Sequence, residues 1–247
     1  MPSSYRAIQR INVDGSLTAM CICFLLTKNI AHLIIVIELC VHYHRKMGGC
    51  CSAEQDGGSN HELSQWSPLN FVNDESWIRK PERQVSQVHF VAVTRLQTGG
   101  DHWNMHLQVG NESVRIDMEP GAWPGPFGQG YLGRLDISHQ MDPITRNCEH
   151  RITIPARPGV AAMHFITAIV NADNHRYEFT QAGRGCTGWM GDQYLLFVQQ
   201  GLLQPGYERQ VEEAMNQEWE GGRATRSWPA TSGYYLRDLN RSRRRRR

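Results

Sequence analysis

The chain predicts an α+β fold, a small antiparallel β-sheet packed with helices, on three observations. Segments near 84–96, 102–109 and 114–119 carry alternating or β-branched apolar residues, the period of strands. Gly110-Asn111 stands between the second and third segments and reads as a hairpin turn. Beyond Pro158 the apolar spacing lengthens to three and four residues, the period of helices.

The first strand, Gln84 to Leu96, contains Val85, Val88, Phe90, Val91 and Val93 and closes at Thr98-Gly99-Gly100. In the second, Trp103, Met105, Leu107 and Val109 point one way and His102, Asn104, His106 and Gln108 the other, so it reads as half-buried. Val114, Ile116 and Met118, alternating with Arg115, Asp117 and Glu119, form the return strand. With Gly110 and Asn111 as the two loop residues, Val109 faces Glu112. His102 then faces Glu119, with Asp117 diagonal on the same face. Four glycines and three prolines within 120–130 predict a loop at a rim.

Arg151 to Ile154 is a short strand ended by Pro155, and a helix opens at Pro158-Gly159 over Val160, Met163, Ile166, Thr167 and Val170. Tyr177 to Phe179 is one more short strand. Gly183-Arg184-Gly185 turns from it into a helix carrying Trp189, Met190, Tyr194, Leu195, Val198 and Leu202, which sets Cys186 just before or within the first turn. Tyr207 to Trp219 is a last amphipathic helix, and the stretch from Trp228 onward reads as loose.

At 247 residues the chain accommodates one buried domain with extensions. The expected organisation is a hydrophobic or mis-annotated segment over 1–46, a flexible linker over 47–81, an α+β domain over 82–220 and a disordered basic tail over 221–247. Six of the 26 basic residues are Arg241 and Arg243 to Arg247, so the remaining 20 face 24 acidic residues and the body is mildly acidic. A nucleic-acid surface spreads basic and aromatic residues over a folded face, and no central segment does so. Five of the seven cysteines lie within the first 51 residues, and no Cys-x-x-Cys pair exists. That pattern argues against a disulfide framework or a zinc site, and no metal or cofactor is expected. The domain reads as intracellular, cytoplasmic or peripherally membrane-associated.

Leu17 to Tyr43 is apolar but interrupted by Lys28 and Glu38, which makes it a poor membrane span. Met47-Gly48-Gly49-Cys50-Cys51-Ser52 fits N-myristoylation at Gly48 with palmitoylation at Cys50 and Cys51, on condition that translation starts at Met47. The same stretch also reads as the start of a Gly/Ser linker. Acylation together with the terminal arginines would supply contact with an anionic membrane.

The chemistry concentrates in two places, a histidine on a strand and a cysteine at a helix start, the two halves of a nucleophile and its base. An ordinary thiol is only a few per cent ionised at neutral pH, and a helix N-terminus with a neighbouring imidazolium favours the thiolate. Cys186 would attack, His102 would move the proton, and Glu119 would orient the ring, or Asp117 if the loop is longer. His106 shares the polar face and is the alternative base. The expected partner is an acyl or peptide substrate. The bland reading is a buried cysteine that serves close packing.

The run Arg83 to Ala92, the stretch from His102-Trp103 through Glu119-Pro120, Pro143-Ile144-Thr145-Arg146-Asn147, and Arg176-Tyr177-Glu178-Phe179 with Gly183-Arg184-Gly185-Cys186 resemble a fungal domain family of unknown function over about 82–220. His102-Trp103 running into Val109-Gly110, with a cysteine opening a later helix, also resembles the circularly permuted papain-like proteins, among them lecithin retinol acyltransferase and the PPPDE peptidases. That second resemblance implies a permuted papain-like arrangement and a cysteine hydrolase or acyltransferase acting on an amide, ester or isopeptide. It departs from the pattern at Gly185, where the family has Asn, and at Trp189, three residues after the cysteine rather than two. Asn147-Cys148-Glu149-His150 imitates the acyltransferase motif, but a proline-cut strand follows it and offers no helix dipole. A non-catalytic interaction domain using the 120–130 loop is the expectation of a different class, and a membrane-tethered adaptor a third.

Overall fold

A computed structural model describes residues 66–94, 100–128, 130–146 and 148–239. The chain contributes β1 (Leu69–Phe71), α1 (Glu75–Ile78), β2 (Gln87–Thr94), β3 (Asp101–Val109), β4 (Glu112–Pro124), β5 (Tyr131–Gln140) and β6 (His150–Pro155). After these come α2 (Ala162–Asn171), β7 (Tyr177–Glu178), α3 (Cys186–Gln199), α4 (Glu208–Met215), β8 (Gln217–Glu220), β9 (Arg223–Ser227) and β10 (Tyr234–Tyr235). Strands in the order β10-β7-β5-β4-β3-β2-β6 make an antiparallel sheet, and β1 adds to it in parallel along β5. The α+β expectation of an antiparallel sheet packed against helices is met at that level.

The sheet grows from hairpin arithmetic. Gly110 takes φ +62, which lets the two-residue turn close, and Val109 pairs with Glu112 and Met105 with Ile116. That pairing puts Met105, Leu107, Val114, Ile116 and Met118 in one apolar layer, where each is fully buried. Helix α3 lays Trp189, Met190 and Phe197 against β3 and β4, and α2 adds Phe165, whose ring meets Phe197 edge-on at 5.0 Å. The strand β3 differs from its half-buried expectation. His102 through Leu107 are all buried, so its polar side is covered as well as its apolar one.

Three stretches correct the sequence reading. Residues 120–130, expected as a loop, continue β4 as far as Pro124 before turning. The turn is pinned from inside, because Phe127 and Gly130 donate their N–H groups to the fully buried Glu178 carboxylate at 2.8 and 3.1 Å. The helix expected to reach Trp219 stops at Met215, and the chain reverses into the β8–β9 hairpin. The tail expected to be disordered from 221 instead forms β9 and β10, with β10 paired to β7. Its order comes from backbone pairing and aromatic contacts rather than from an apolar period. The arginine run at 243–247 lies outside the described residues.

The membrane expectation is corrected too. Among the described residues no helix is long and apolar enough to cross a membrane. The apolar stretch 17–43 and the acylation motif at Gly48, Cys50 and Cys51 lie outside the described residues.

Gly130 tests how tightly the β4–β5 turn is seated. A Cβ there would stand 2.1 Å from the Phe179 carbonyl oxygen and 2.4 Å from the Thr180 carbonyl carbon, both main-chain atoms. Gly130→Ala is expected to lower stability in urea titration by about 1–3 kcal/mol, the usual cost of forced overpacking. A midpoint equal to that of the native chain would show that the turn relaxes freely.

Candidate functional site

The first turn of α3 meets the start of β3 and the end of β4. Gly185 stands at the helix N-cap with φ +152, a conformation that residues with a side chain rarely adopt. A Cβ on it would also lie 3.1 Å from the Tyr177 hydroxyl and 3.1 Å from the Phe179 ring. Tyr177, fully buried on β7, donates its hydroxyl to the Gly185 carbonyl at 3.0 Å. The peptide before Cys186 is thereby fixed on both sides, and Cys186 begins the helix with 8% of its surface exposed.

His102 lies at the second position of β3, 4% exposed. Its Nε2 is 2.6 Å from Oδ1 of Asp117, and its side chain also hydrogen-bonds the Cys186 thiol. Asp117 in turn accepts from Arg115 on its other oxygen, Oδ2. The structure therefore brings together Cys186, His102, Asp117 and Arg115, in that order. Burial disfavours the charged imidazole, but the Asp117 carboxylate and the Cys186 sulfur outweigh it and raise the His102 pKa from 6.5 to about 10. For Asp117, burial likewise favours the neutral form, and the His102 ring with the Arg115 guanidinium outweighs it and lowers the carboxyl below its ordinary value. A buried acid held ionised needs such partners.

Glu119 stands otherwise. The observed register, extended past Met105, sets it opposite His102, as the two-residue loop requires. Its side chain is nevertheless 40% exposed and lies 3.9 Å from Arg134. His102 takes the diagonal partner because the short Asp117 side chain cannot leave the sheet surface, whereas the longer Glu119 reaches outward. The loop is not longer than expected. The pairing arithmetic was sound, and side-chain length decided between the two acids.

His102, Asp117 and Glu119 also present one ligand atom each within 4.8 Å of one another. Both Asp117 oxygens are already engaged, one by the His102 ring and one by the Arg115 guanidinium. A cation would have to displace that guanidinium, so the cluster fits hydrogen bonding better than metal ligation. Alkylation of Cys186 is expected to proceed at the same rate with and without EDTA. A change on chelation would assign these three groups to a metal instead.

His106 lies on the same strand, and its Nδ1 shares a hydrogen bond with Ser113 Oγ at 3.1 Å. Burial, aided by the charges of Arg115 and His89, depresses its pKa from 6.5 to about 3. Such a ring stays neutral near pH 7 and makes a poor proton shuttle beside a charged His102. Between pH 6.5 and 3 the unfolded chain binds a proton here that the folded chain does not. Stability therefore falls as pH drops through that window, with a slope approaching about 1.4 kcal/mol per pH unit from this one group. His106→Asn is expected to flatten the acid limb of a urea-midpoint titration, and an unaltered limb would contradict the shift. Cys148 lies outside the cluster just ahead of β6, and its thiol pKa is raised, chiefly by burial.

Sequence reasoning did not find Arg115 or Tyr177 as parts of the site. Arg115 was visible only as an alternation partner, and Tyr177 as an apolar strand residue.

A family model described as a domain of unknown function (DUF7770) matches residues 88–236. No curated protein and no solved structure matches. The expected domain of unknown function is supported by this match, and the papain-like resemblance gains no support from the comparisons.

Proposed function

The chain belongs to the DUF7770 family, and from that premise, which assigns no activity, we propose that it is a cysteine hydrolase or acyltransferase acting on an amide, ester or isopeptide. The observation that carries the proposal is the buried line of hydrogen bonds from Cys186 through His102 to Asp117. Cys186 lies within the buried hydrophobic core, where a cysteine that serves packing alone needs no polar partner. This one opens a helix and faces an imidazole that a carboxylate keeps charged.

In the proposed reaction the Cys186 sulfur bonds to the acyl carbon while the bond from that carbon to the leaving oxygen or nitrogen breaks. His102, protonated beforehand, gives its proton to the leaving atom. Water or an acceptor hydroxyl or amine then attacks the thioester, His102 takes the incoming proton, and the sulfur departs. Asp117 orients the ring and balances its charge, with Arg115 holding the carboxylate in place. The helix N-terminus favours the anionic sulfur. Glu119 is retained as a second carboxylate near the ring, lying within 4.8 Å of the same group. The likeness to permuted papain-like enzymes remains part of this proposal, resting on a His strand and a Cys helix in that order.

The test uses a panel of p-nitrophenyl esters with intact-mass detection. The expected result is a burst of nitrophenolate with one acyl group retained on Cys186, lost in Cys186→Ala and strongly reduced in His102→Ala. An adduct elsewhere, or a burst that survives Cys186→Ala, would rule the proposal out.

A non-catalytic interaction domain is supported by one separate feature. Trp123, Tyr131 and Tyr234 are exposed at 39%, 44% and 40% around the pinned Pro/Gly turn. Exposed aromatics beside a rigid turn suit a binding surface. Under this reading the native chain itself gives no nitrophenolate burst and retains no acyl group on Cys186.

A further inference from the structure

We propose that the segment from Trp228 to Tyr235 is a detachable strap, seated beside Cys186 in a groove that reads the main chain of an extended polypeptide, and that such a polypeptide takes its place. The strap is anchored at its ends. Trp228 donates its N–H to the Asn216 carbonyl at 2.8 Å, and the Arg226 and Arg184 guanidinium groups lie 4.3 and 4.8 Å from its ring centre. At the far end the Tyr235 hydroxyl donates to Asp192 at 2.7 Å, and the next residue, Leu236, is buried.

Between the anchors the chain is held through its main chain. Thr231 accepts from the Gly188 N–H at 3.1 Å and donates its own N–H to Thr187 Oγ1 at 3.0 Å. The Pro229 carbonyl accepts from Arg184 at 3.1 Å, and the Gly233 N–H donates to the Tyr177 hydroxyl. Thr187 and Gly188 follow Cys186 directly, and Tyr177 is the residue that fixes the Gly185 carbonyl. The strap thus grips both sides of the peptide that presents the thiol. Its Pro229, Ala230 and Ser232 side chains are exposed, so no apolar burial holds the middle down.

The groove selects by closeness. A Cβ on Gly188 would stand 2.6 Å from the Ser232 Cα, and one on Gly233 would stand 2.1 Å from the Glu178 carbonyl oxygen. Only a narrow chain fits there, with glycine at the Gly233 position. An array of backbone donors and acceptors beside an extended segment suits a polypeptide. An acyl chain would leave those groups without partners. That the incoming polypeptide is also the substrate rests on the thiol chemistry proposed above; the exchange itself does not.

The experiment follows iodoacetamide alkylation of Cys186 by peptide mass spectrometry, with hydrogen exchange at 229–233 in parallel, in the full chain and in Gly188→Ala and Gly233→Ala. Alanine is the better helix former at position 188, so the first variant pushes on the strap without weakening α3. Gly233→Ala pushes from the strap side and serves if the other fails to fold. Exchange and alkylation are both expected to rise at least about tenfold in each variant as the segment opens. An excess of a peptide with the sequence of residues 229–235 is expected to restore protection in Gly233→Ala, and dodecanoate is not. Exchange that stays at the native rate in both variants overturns the detachable strap. Faster exchange with alkylation within about twofold of native overturns the link between strap opening and access to the thiol. Failure of the peptide to protect, whatever dodecanoate does, overturns the polypeptide groove. Alkylation requires no turnover, so an inactive chain can still pass this test and an active one can still fail it.

Discussion

Asp117→Ala is expected to destabilise the chain by about 3–5 kcal/mol, the cost of removing one partner from a buried charge pair. The carboxylate is 3% exposed at its side chain and bonds both the His102 ring and the Arg115 guanidinium. Without it the imidazole must either stay charged in a buried setting or give up its proton, and both outcomes cost stability. Glu119→Ala is expected to change stability by less than about 1 kcal/mol, because its 40% exposed side chain makes only a distant ion pair. Urea titrations of the two variants at neutral pH decide between the two acids. Equal losses would mean that both are structural partners of His102.

The pH dependence carries a second check on the same residue. The folded carboxyl of Asp117 titrates below its ordinary value of 3.8, so its contribution is present above that value and is lost as pH falls through the folded pKa. The gap between native and Asp117→Ala midpoints should therefore narrow in strong acid. Asp117→Asn is the milder probe for chemistry, since it keeps the shape but not the charge. If the acyl reaction proceeds as proposed, turnover should fall by up to about 10⁴-fold, the loss known when a triad acid becomes an amide.

How far the sequence revealed this site depends on what each residue's signal measures. Strand alternation and a two-residue turn determine which Cα atoms oppose each other, so the β3–β4 register was legible to the residue. The same arithmetic could not tell which of two acids bends toward the ring, because that depends on side-chain length and on Arg115, whose partner lies two residues away on its own strand. The helix that opens at Cys186 was legible from three- and four-residue spacing and from Gly185. Strand β5 was not, because Gly133, Asp136 and Ser138 interrupt its apolar run; Gly133 is there for close packing, with Met118 Sδ only 2.7 Å from where its Cβ would be. The strap was the least legible part. Its order comes from main-chain bonds to Thr187, Gly188 and Tyr177, and main-chain bonding leaves no hydropathy period to read.

His102→Gln is expected to slow alkylation of Cys186 at pH 6 by about 100-fold, while leaving the rate at pH 10 nearly unchanged. An ordinary thiol near pKa 8.5 is well under about 1% ionised at pH 6, so it reacts through a small thiolate fraction. Beside an imidazolium the thiolate is the favoured partner, and the two groups release their protons as a pair rather than one by one. His102 stays protonated up to about pH 10 against Asp117 and the sulfur. The native rate should therefore hold its plateau well into acid, where the variant's rate falls tenfold per pH unit. Stability should follow with the opposite limb. A group whose folded pKa rises from 6.5 to about 10 contributes fully below 6.5 and loses that contribution as pH climbs toward 10. Native and His102→Gln midpoints should thus converge in alkali, while the alkylation rates converge there too, because the free thiol then ionises without help. Parallel rate profiles across the whole range would mean that the imidazole does not act on the sulfur, and Cys186 would then be a buried structural cysteine.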